Sequence, residues 1–248
     1  MYITAVRTHK ITKDDKDVFA ILDAYLPKLS DKTVVVVTSK ILAIIEGRIV
    51  KIGEISKDEL VVKEAELYLP PTESKYHFSL TIKNNLLIPS AGIDESNGNG
   101  YYVLWPKNPQ QWANDIREYL TKKFHISSLG VIITDSKTTP LRWGVTGVTI
   151  AYSGFLPLND QVGIPDLFGR VMQATKVNVI DGLAAAAVVT MGESNEQTPL
   201  AVIKDAPFVQ FVDRNPTKEE LASLHIEMED DLYAPLLKSV EWKTKKKV

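Results

Sequence analysis

Apolar and polar positions recur along this chain with two periods, and the period decides the element. Residues 34–37 are four consecutive valines between charged neighbours, which predicts a strand buried on both faces and ending at Thr38-Ser39-Lys40. Val131-Ile132-Ile133 predicts a second such strand, ending at Thr134-Asp135-Ser136. Both deliver hydroxyl and charged groups at a C-terminal strand edge, where ligands bind on α/β sheets. Helical spacing of Val18, Ile21, Leu22, Tyr25 and Leu26 predicts a helix within 17–29, and 59–68 continues as a helix that stops before Pro70-Pro71. Trp112, Ile116, Tyr119 and Leu120 predict a helix over 110–124, and residues 144–155 alternate strand-like residues with glycines. The Ala-rich stretch 181–191 predicts a closely packed helix with Gly192 as its C′ residue. Glu46-Gly47-Arg48 reads as a hairpin turn, and Thr217 with Glu220 as a capping box. The chain reads as a single unit over 1–248, with two subdomains of unmarked boundary and a solvated tail at 243–248.

Composition narrows the classes. At 24% charged and 44% hydrophobic residues this is an ordinary globular chain, and its formal net charge of -2 gives no general basic field for nucleic acid. No apolar run is long enough for a membrane span and residues 1–10 lack a signal-peptide core, so the expectation is a cytoplasmic protein without membrane or nucleic-acid partners. Cysteine is absent, which excludes disulfides, thiolate metal sites and a cysteine nucleophile. The four histidines share no metal-ligand spacing, and no Gly-x-Ser-x-Gly, P-loop or Gly-x-Gly-x-x-Gly motif occurs.

The chemistry is concentrated at two acidic strand ends. Ala91-Gly92-Ile93-Asp94-Glu95-Ser96-Asn97 places a carboxylate and a carboxamide three apart in a Gly-bounded turn, and Asp135-Ser136 echoes it. An oxygen-only ligand set of this kind suits Mg²⁺ or Mn²⁺ better than zinc. The structural alternatives are an Asx-turn at Asp94 and strand termination at Asp135, but an unpaired carboxylate at a buried edge is costly. Lys40, Arg48, Lys137, Arg142 and Arg170 are the nearby cations, for anion handling or for surface ion pairs.

Taken in order, Ser39-Lys40, Glu46-Gly47-Arg48, the 91–97 and 131–136 segments, Arg142-Trp143-Gly144, Asp166-Leu167-Phe168-Gly169-Arg170 and Met191-Gly192-Glu193 to Pro199 resemble the coenzyme F420-0:L-glutamate ligase (γ-glutamyl ligase) family over about residues 30–205. The resemblance implies an α+β fold: a two-part protomer with mixed β-sheets and flanking helices, in an intertwined homodimer. It implies GTP-dependent addition of L-glutamate to a cofactor carboxylate, with Mg²⁺ or Mn²⁺ and, in some members, a monovalent cation such as K⁺. Carried over by motif, Asp94 and Asp135 bind one metal, and Ser136 and the backbone near Ser194 a second. Ser39, Asn97 and the loop of Gly192, Glu193, Ser194, Asn195, Glu196, Gln197 and Pro199 contact nucleotide, together with the 8–11 segment, and Lys40 is the candidate to substitute for a nucleotide-binding lysine that members carry four residues later. Asp94, Asp135 and Arg142 form the catalytic set.

This chain departs from the family pattern in three places. Ile44 stands where members carry a lysine, Lys137-Thr138-Thr139-Pro140 follows the second aspartate instead of a Gly-Arg turn, and the nucleotide loop reads Ser194-Asn195-Glu196-Gln197. These leave two acceptors open, the deazaflavin precursor F420-0 and a folate-type pterin, and leave ATP beside GTP. Two readings outside the ligase class compete with it: a non-catalytic nucleotide- or metal-binding dimer, and a metal-dependent phosphohydrolase.

Overall fold

The computed structural model describes residues 1–245. In chain order its elements are β1 (Tyr2–Val6), α1 (Val18–Tyr25), β2 (Thr33–Thr38), α2 (Ser39–Glu46), β3 (Ile49–Lys51), α3 (Lys57–Glu64), β4 (Leu67–Leu69), β5 (Leu80–Lys83), β6 (Leu86–Pro89), β7 (Tyr101–Val103), α4 (Pro109–Phe124), β8 (Leu129–Thr138), β9 (Val145–Ser153), β10 (Leu158–Asp160), β11 (Lys176–Asn178), α5 (Val179–Met191), β12 (Leu200–Lys204), α6 (Lys218–Ala222) and α7 (Ala234–Leu237). The architecture is mixed α+β, with several sheets and flanking helices.

The main sheet has the order β1-β12-β2-β8-β9, antiparallel throughout except for the parallel pair β2 and β8. Its central strands are apolar on both faces because both faces are covered. Val35, Val37, Val131 and Ile133 pack with residues of α1, α2 and α4, whereas Val34, Val36 and Ile132 pack with Ile180, Leu183, Ala184 and Ala187 of α5. The alanines let α5 lie close. A Cβ at Gly147 of β9 would stand 2.4 Å from the Ala184 carbonyl oxygen, so the strand needs glycine there.

A second, smaller cluster is built on the segment between β2 and β8. Leu60 and Val61 of α3 pack with Ala91, Ile93, Tyr102 and Leu104 beside the three-stranded sheet β4-β5-β6 and the pair β3-β7. Buried charges sit here too. Lys83, 8% exposed, donates to Glu64 at 2.9 Å and to the Ala91 carbonyl at 3.3 Å, and Arg48 donates to Glu64 at 2.7 Å. Burial alone would raise the Glu64 carboxyl, but Lys83 and Arg48 outweigh it and hold the group below its ordinary range.

Several local expectations need correction. Glu46-Gly47-Arg48 is no hairpin turn: α2 starts directly after β2 and ends at Glu46, and Gly47 closes it in the left-handed conformation at φ 78°. The helix expected over 59–68 runs only over Lys57–Glu64, started by the Ser56–Glu59 capping box, and Tyr68 pairs in β4 with Thr81. Gly192 is the C-cap of α5, and the Thr217–Glu220 box opens only a five-residue helix. Within the segment expected as a solvated tail, Lys243 exchanges backbone hydrogen bonds with Tyr68, and residues 246–248 lie outside the described ones.

Candidate functional site

Register places the site. Val6, Leu200, Val37 and Ile133 form one row across the sheet, so the next residues on β1, β2 and β8, which run the same way, emerge at one edge. The loop entering β12 is tied into that edge: the Thr8 and Thr38 amides donate to the carbonyls of Gln197 and Pro199, both at 3.0 Å. The resulting cavity encloses about 800 Å³. Its walls are residues 7–12 after β1, the start of α2, the strand end at Thr134, Asp135 and Ser136, and the 191–199 loop. Asp94, Asn97 and Asn99 of the smaller cluster close it from the other side, and the Asn97 amide bridges the mouth to the Ser194 carbonyl at 2.7 Å.

The two aspartates sit in different electrostatic settings. Asp94 accepts from the Lys40 ammonium at 2.6 Å and from the Ser96 amide and hydroxyl, each at 2.8 Å. Burial pushes its carboxyl up, yet Lys40 and Ser96 outweigh burial and hold it below the ordinary carboxylate range. Among the described residues Asp135 has no ion-pair partner; it accepts from the Trp105 indole N–H. Desolvation pushes its carboxyl up to about 6, assisted by the Asp94 charge and opposed by Trp105, the Ser136 amide and Lys40. Glu193 is a third acid at this edge, raised by desolvation and by the charges of Asp94 and Glu196, with its carboxylate 3.4 Å from the Ser136 hydroxyl.

A sequence model of the F420-0:Gamma-glutamyl ligase family matches residues 5–205. The chain belongs to that ligase family. Among its curated relatives, the coenzyme F420:L-glutamate ligase of Methanococcus maripaludis strain S2 is 35% identical over 208 residues, 78% of this chain and 82% of the relative. The enzyme of the same name from Methanocaldococcus jannaschii is 32% identical over 201 residues, 78% and 77% of the two chains. That of M. maripaludis strain C7 is 44% identical over 128 residues, half of each chain. The match ends at Asp205, so α6, α7 and Lys243, the backbone partner of Tyr68, lie beyond the matched part of this family member.

In this ligase-family chain the cavity gathers most of the residues singled out from sequence: Lys40, Asp94, Asn97, Asp135, Ser136, Gly192, Glu193, Ser194, Asn195, Glu196, Gln197 and Pro199 all line it. Two do not. Ser39 is buried, 4% exposed, in the first turn of α2 and faces the interior. Arg142 is exposed at the tip of the β8–β9 hairpin, because β8 runs on to Thr138 and carries the turn away from the site before the chain reverses.

Sequence reasoning missed the support beneath Asp135. Trp105 is 1% exposed, its carbonyl accepts from Arg48 Nε at 3.1 Å, and the Lys83 ammonium lies 5.1 Å from its ring centroid. A Cβ at Gly92 would stand 2.1 Å from the indole nitrogen, and Gly92 itself has φ 71°. The Gly92 motif was visible in sequence, but its partner thirteen residues on carried no periodic signal. His9 belongs to the 8–11 segment expected at the nucleotide. It lines the cavity and is fixed by Tyr25 at 2.9 Å and Asp15 at 2.8 Å.

Among the described residues, no three His, Asp or Glu side chains converge in a ready-made metal-ligand cluster. The donor set nonetheless fits a hard cation. Asp94, Asp135 and Glu193 supply only oxygen, Ser136 adds a hydroxyl, and the Lys40 ammonium acts electrostatically on all three acids. These three acids thus share the Lys40 ammonium, and Arg7 and Lys10 line the same cavity from its 7–12 wall.

Proposed function

We propose that the chain is a GTP-dependent γ-glutamyl ligase that joins L-glutamate to a carboxylate of the deazaflavin precursor F420-0, working as an intertwined homodimer. The observation that carries this reading is the convergence of Asp94 and Asp135, from separate parts of the protomer, on one cavity with the 191–199 loop. The names of the relatives favour the deazaflavin acceptor over a pterin. Asp94 and Asp135 would hold one divalent cation and Ser136 with the Ser194 backbone a second; when bound, these would neutralise charge on the phosphates.

The chain's own residues carry the rest of the reaction. Residues 8–12 and the 191–199 loop hold the nucleotide, with Asn97 latching the loop, and Lys40 contacts phosphate. In the first step an acceptor carboxylate oxygen bonds to the γ-phosphorus as the bond to GDP breaks, giving an acyl phosphate. In the second the glutamate amine attacks the acyl carbon, phosphate leaves and the amine gives up its proton. Lys40 and the loop amides stabilise the transferring oxygens. The dimer is supported by apolar side chains that a lone protomer leaves in water: Leu141 and Trp143 on the β8–β9 tip, and Leu167 and Phe168, are 90–105% exposed.

The test is mass spectrometry of products formed from L-glutamate, Mn²⁺, GTP or ATP, and either the deazaflavin precursor or a reduced folate. A glutamate adduct on the deazaflavin with GTP, absent with Asp135→Asn, is expected. Phosphate release without any adduct would replace the ligase with a phosphohydrolase.

A further inference from the structure

The Lys40 ammonium occupies a place that its surroundings define in detail. It donates to Asp94 Oδ2 at 2.6 Å, to the Ser96 carbonyl at 3.0 Å and to the Ser96 hydroxyl at 3.1 Å, so all three of its N–H groups are satisfied by oxygen. The other Asp94 oxygen is taken by the Ser96 amide at 2.8 Å. A compact monocation surrounded by a carboxylate, a carbonyl and a hydroxyl stands in the setting a bound metal ion would use. Asp135, facing the same cavity, has no ion pair among the described residues and accepts from the Trp105 indole and the Ser136 amide. One acid thus faces an ammonium and the other faces neutral donors.

Neither Arg48 nor Lys83 can take this place. Arg48 and Lys83 are committed to Glu64 in the smaller cluster. One turn further along α2 the cavity wall is Ile44, 7% exposed, which offers no charge to a phosphate. A polyanion entering the cavity therefore meets Lys40 as the cation that α2 presents. Its four-carbon stem lets the ammonium swing while the helix stays fixed.

We propose that the Lys40 ammonium serves as a built-in occupant of the cation position at Asp94, held there in the nucleotide-free protein and released to the phosphates of the incoming nucleotide. The proposal rests on the reading of Asp94 as a metal ligand. Its consequence is positive coupling: nucleotide draws the ammonium away and frees Asp94 for a divalent ion, and by linkage the divalent ion favours nucleotide by the same factor. Without nucleotide the protein then resists loading with metal.

The experiment is Mn²⁺ titration, read from the electron paramagnetic resonance of free Mn²⁺, with and without a non-hydrolysable GTP analogue. Wild type, Lys40→Met, Lys40→Arg and Asp94→Asn are compared, and circular dichroism checks each fold. Without nucleotide, Lys40→Met is expected to bind Mn²⁺ about 10-fold more tightly than wild type, since both a competitor and a repelling charge are gone. Lys40→Arg is expected to stay weak, and the nucleotide-dependent gain seen in wild type is expected to shrink in Lys40→Met. General damage to the site would not raise affinity. Equal or weaker Mn²⁺ binding by Lys40→Met, with Asp94→Asn impaired, would overturn the proposal and leave the metal site standing. If Asp94→Asn binds Mn²⁺ as well as wild type, the metal reading falls and takes the proposal with it.

Discussion

Asp94 and Asp135 look alike as strings, each an acid at the end of an apolar segment with a serine close behind, but the fold treats them oppositely. Asp94 follows a tight turn at Ser90–Gly92 and meets an ammonium, so its charge is settled inside the protein. Asp135 lies within β8, just past its buried run Leu129–Thr134, and accepts from neutral donors, so its charge is left costly. The comparison teaches that a carboxylate's role follows from what faces it across the cavity, not from its local motif. Asp135 is the acid with the unmet demand for a cation, and Asp94 is the acid whose cation is already supplied.

The largest break in this comparison is expected from Asp135→Asn, which should reduce ligase turnover by at least about 1,000-fold, whereas Asp94→Asn should act mainly on nucleotide affinity. Steady-state kinetics with separate kcat and KM values would check it. Gly92→Ala should come next. Its Cβ cannot share space with the Trp105 indole, and φ 71° is strained for alanine, so a loss of about 2–4 kcal/mol is expected in urea unfolding. Trp105→Phe keeps an aromatic ring but removes the indole N–H that orients Asp135 and leaves a gap in a fully buried place, so it should weaken Mn²⁺ binding about 10-fold and cost about 1–3 kcal/mol in urea unfolding.

A pH titration sharpens the contrast further. The Asp135 carboxyl is raised to about 6 in the folded protein against an ordinary 3.8, so between these values the unfolded chain releases this proton first. Ionised Asp135 therefore costs stability as pH rises through that window and the cost levels off above it. Metal-free Asp135→Asn should melt with wild type near pH 3.5 and above it by a few degrees at pH 7.5. Asp94 has the opposite sign: its contribution is present above the ordinary range and lost on acidification. The smallest effect should come from Ser96→Ala, about 0.5–1 kcal/mol, because Asp94 keeps both Lys40 and the Ser96 amide.

The parts of this molecule that were legible in sequence are those governed by local pattern. Consecutive valines announced β2 because the strand is covered on both faces, and the spacing of Trp112, Ile116 and Leu120 announced α4, which starts at Pro109. Most of the cavity lining was legible as well, because the strand ends and the 191–199 loop come to one edge. What escaped depended on distant partners. Tyr68 sits in a strand because Thr81 pairs with it, Arg142 leaves the site because β8 overruns it, and Ser39 turns inward because α2 begins without a loop. The Lys83–Trp105–Asp135 contacts join β5, the β7–α4 loop and β8, which no single window contains.

The position of β12 between β1 and β2 has a consequence for how this protein is made. On the ribosome, β1 and β2 emerge early with a gap between them, and nothing fills it until Leu200–Lys204 is synthesised. The segment from β3 to β7, contiguous in the chain and with its own apolar cluster, can collapse well before that. The main sheet must wait, with edges of β1 and β2 unpaired, for a strand more than half the chain away, which makes slow completion and chaperone dependence the expected signature of its biogenesis.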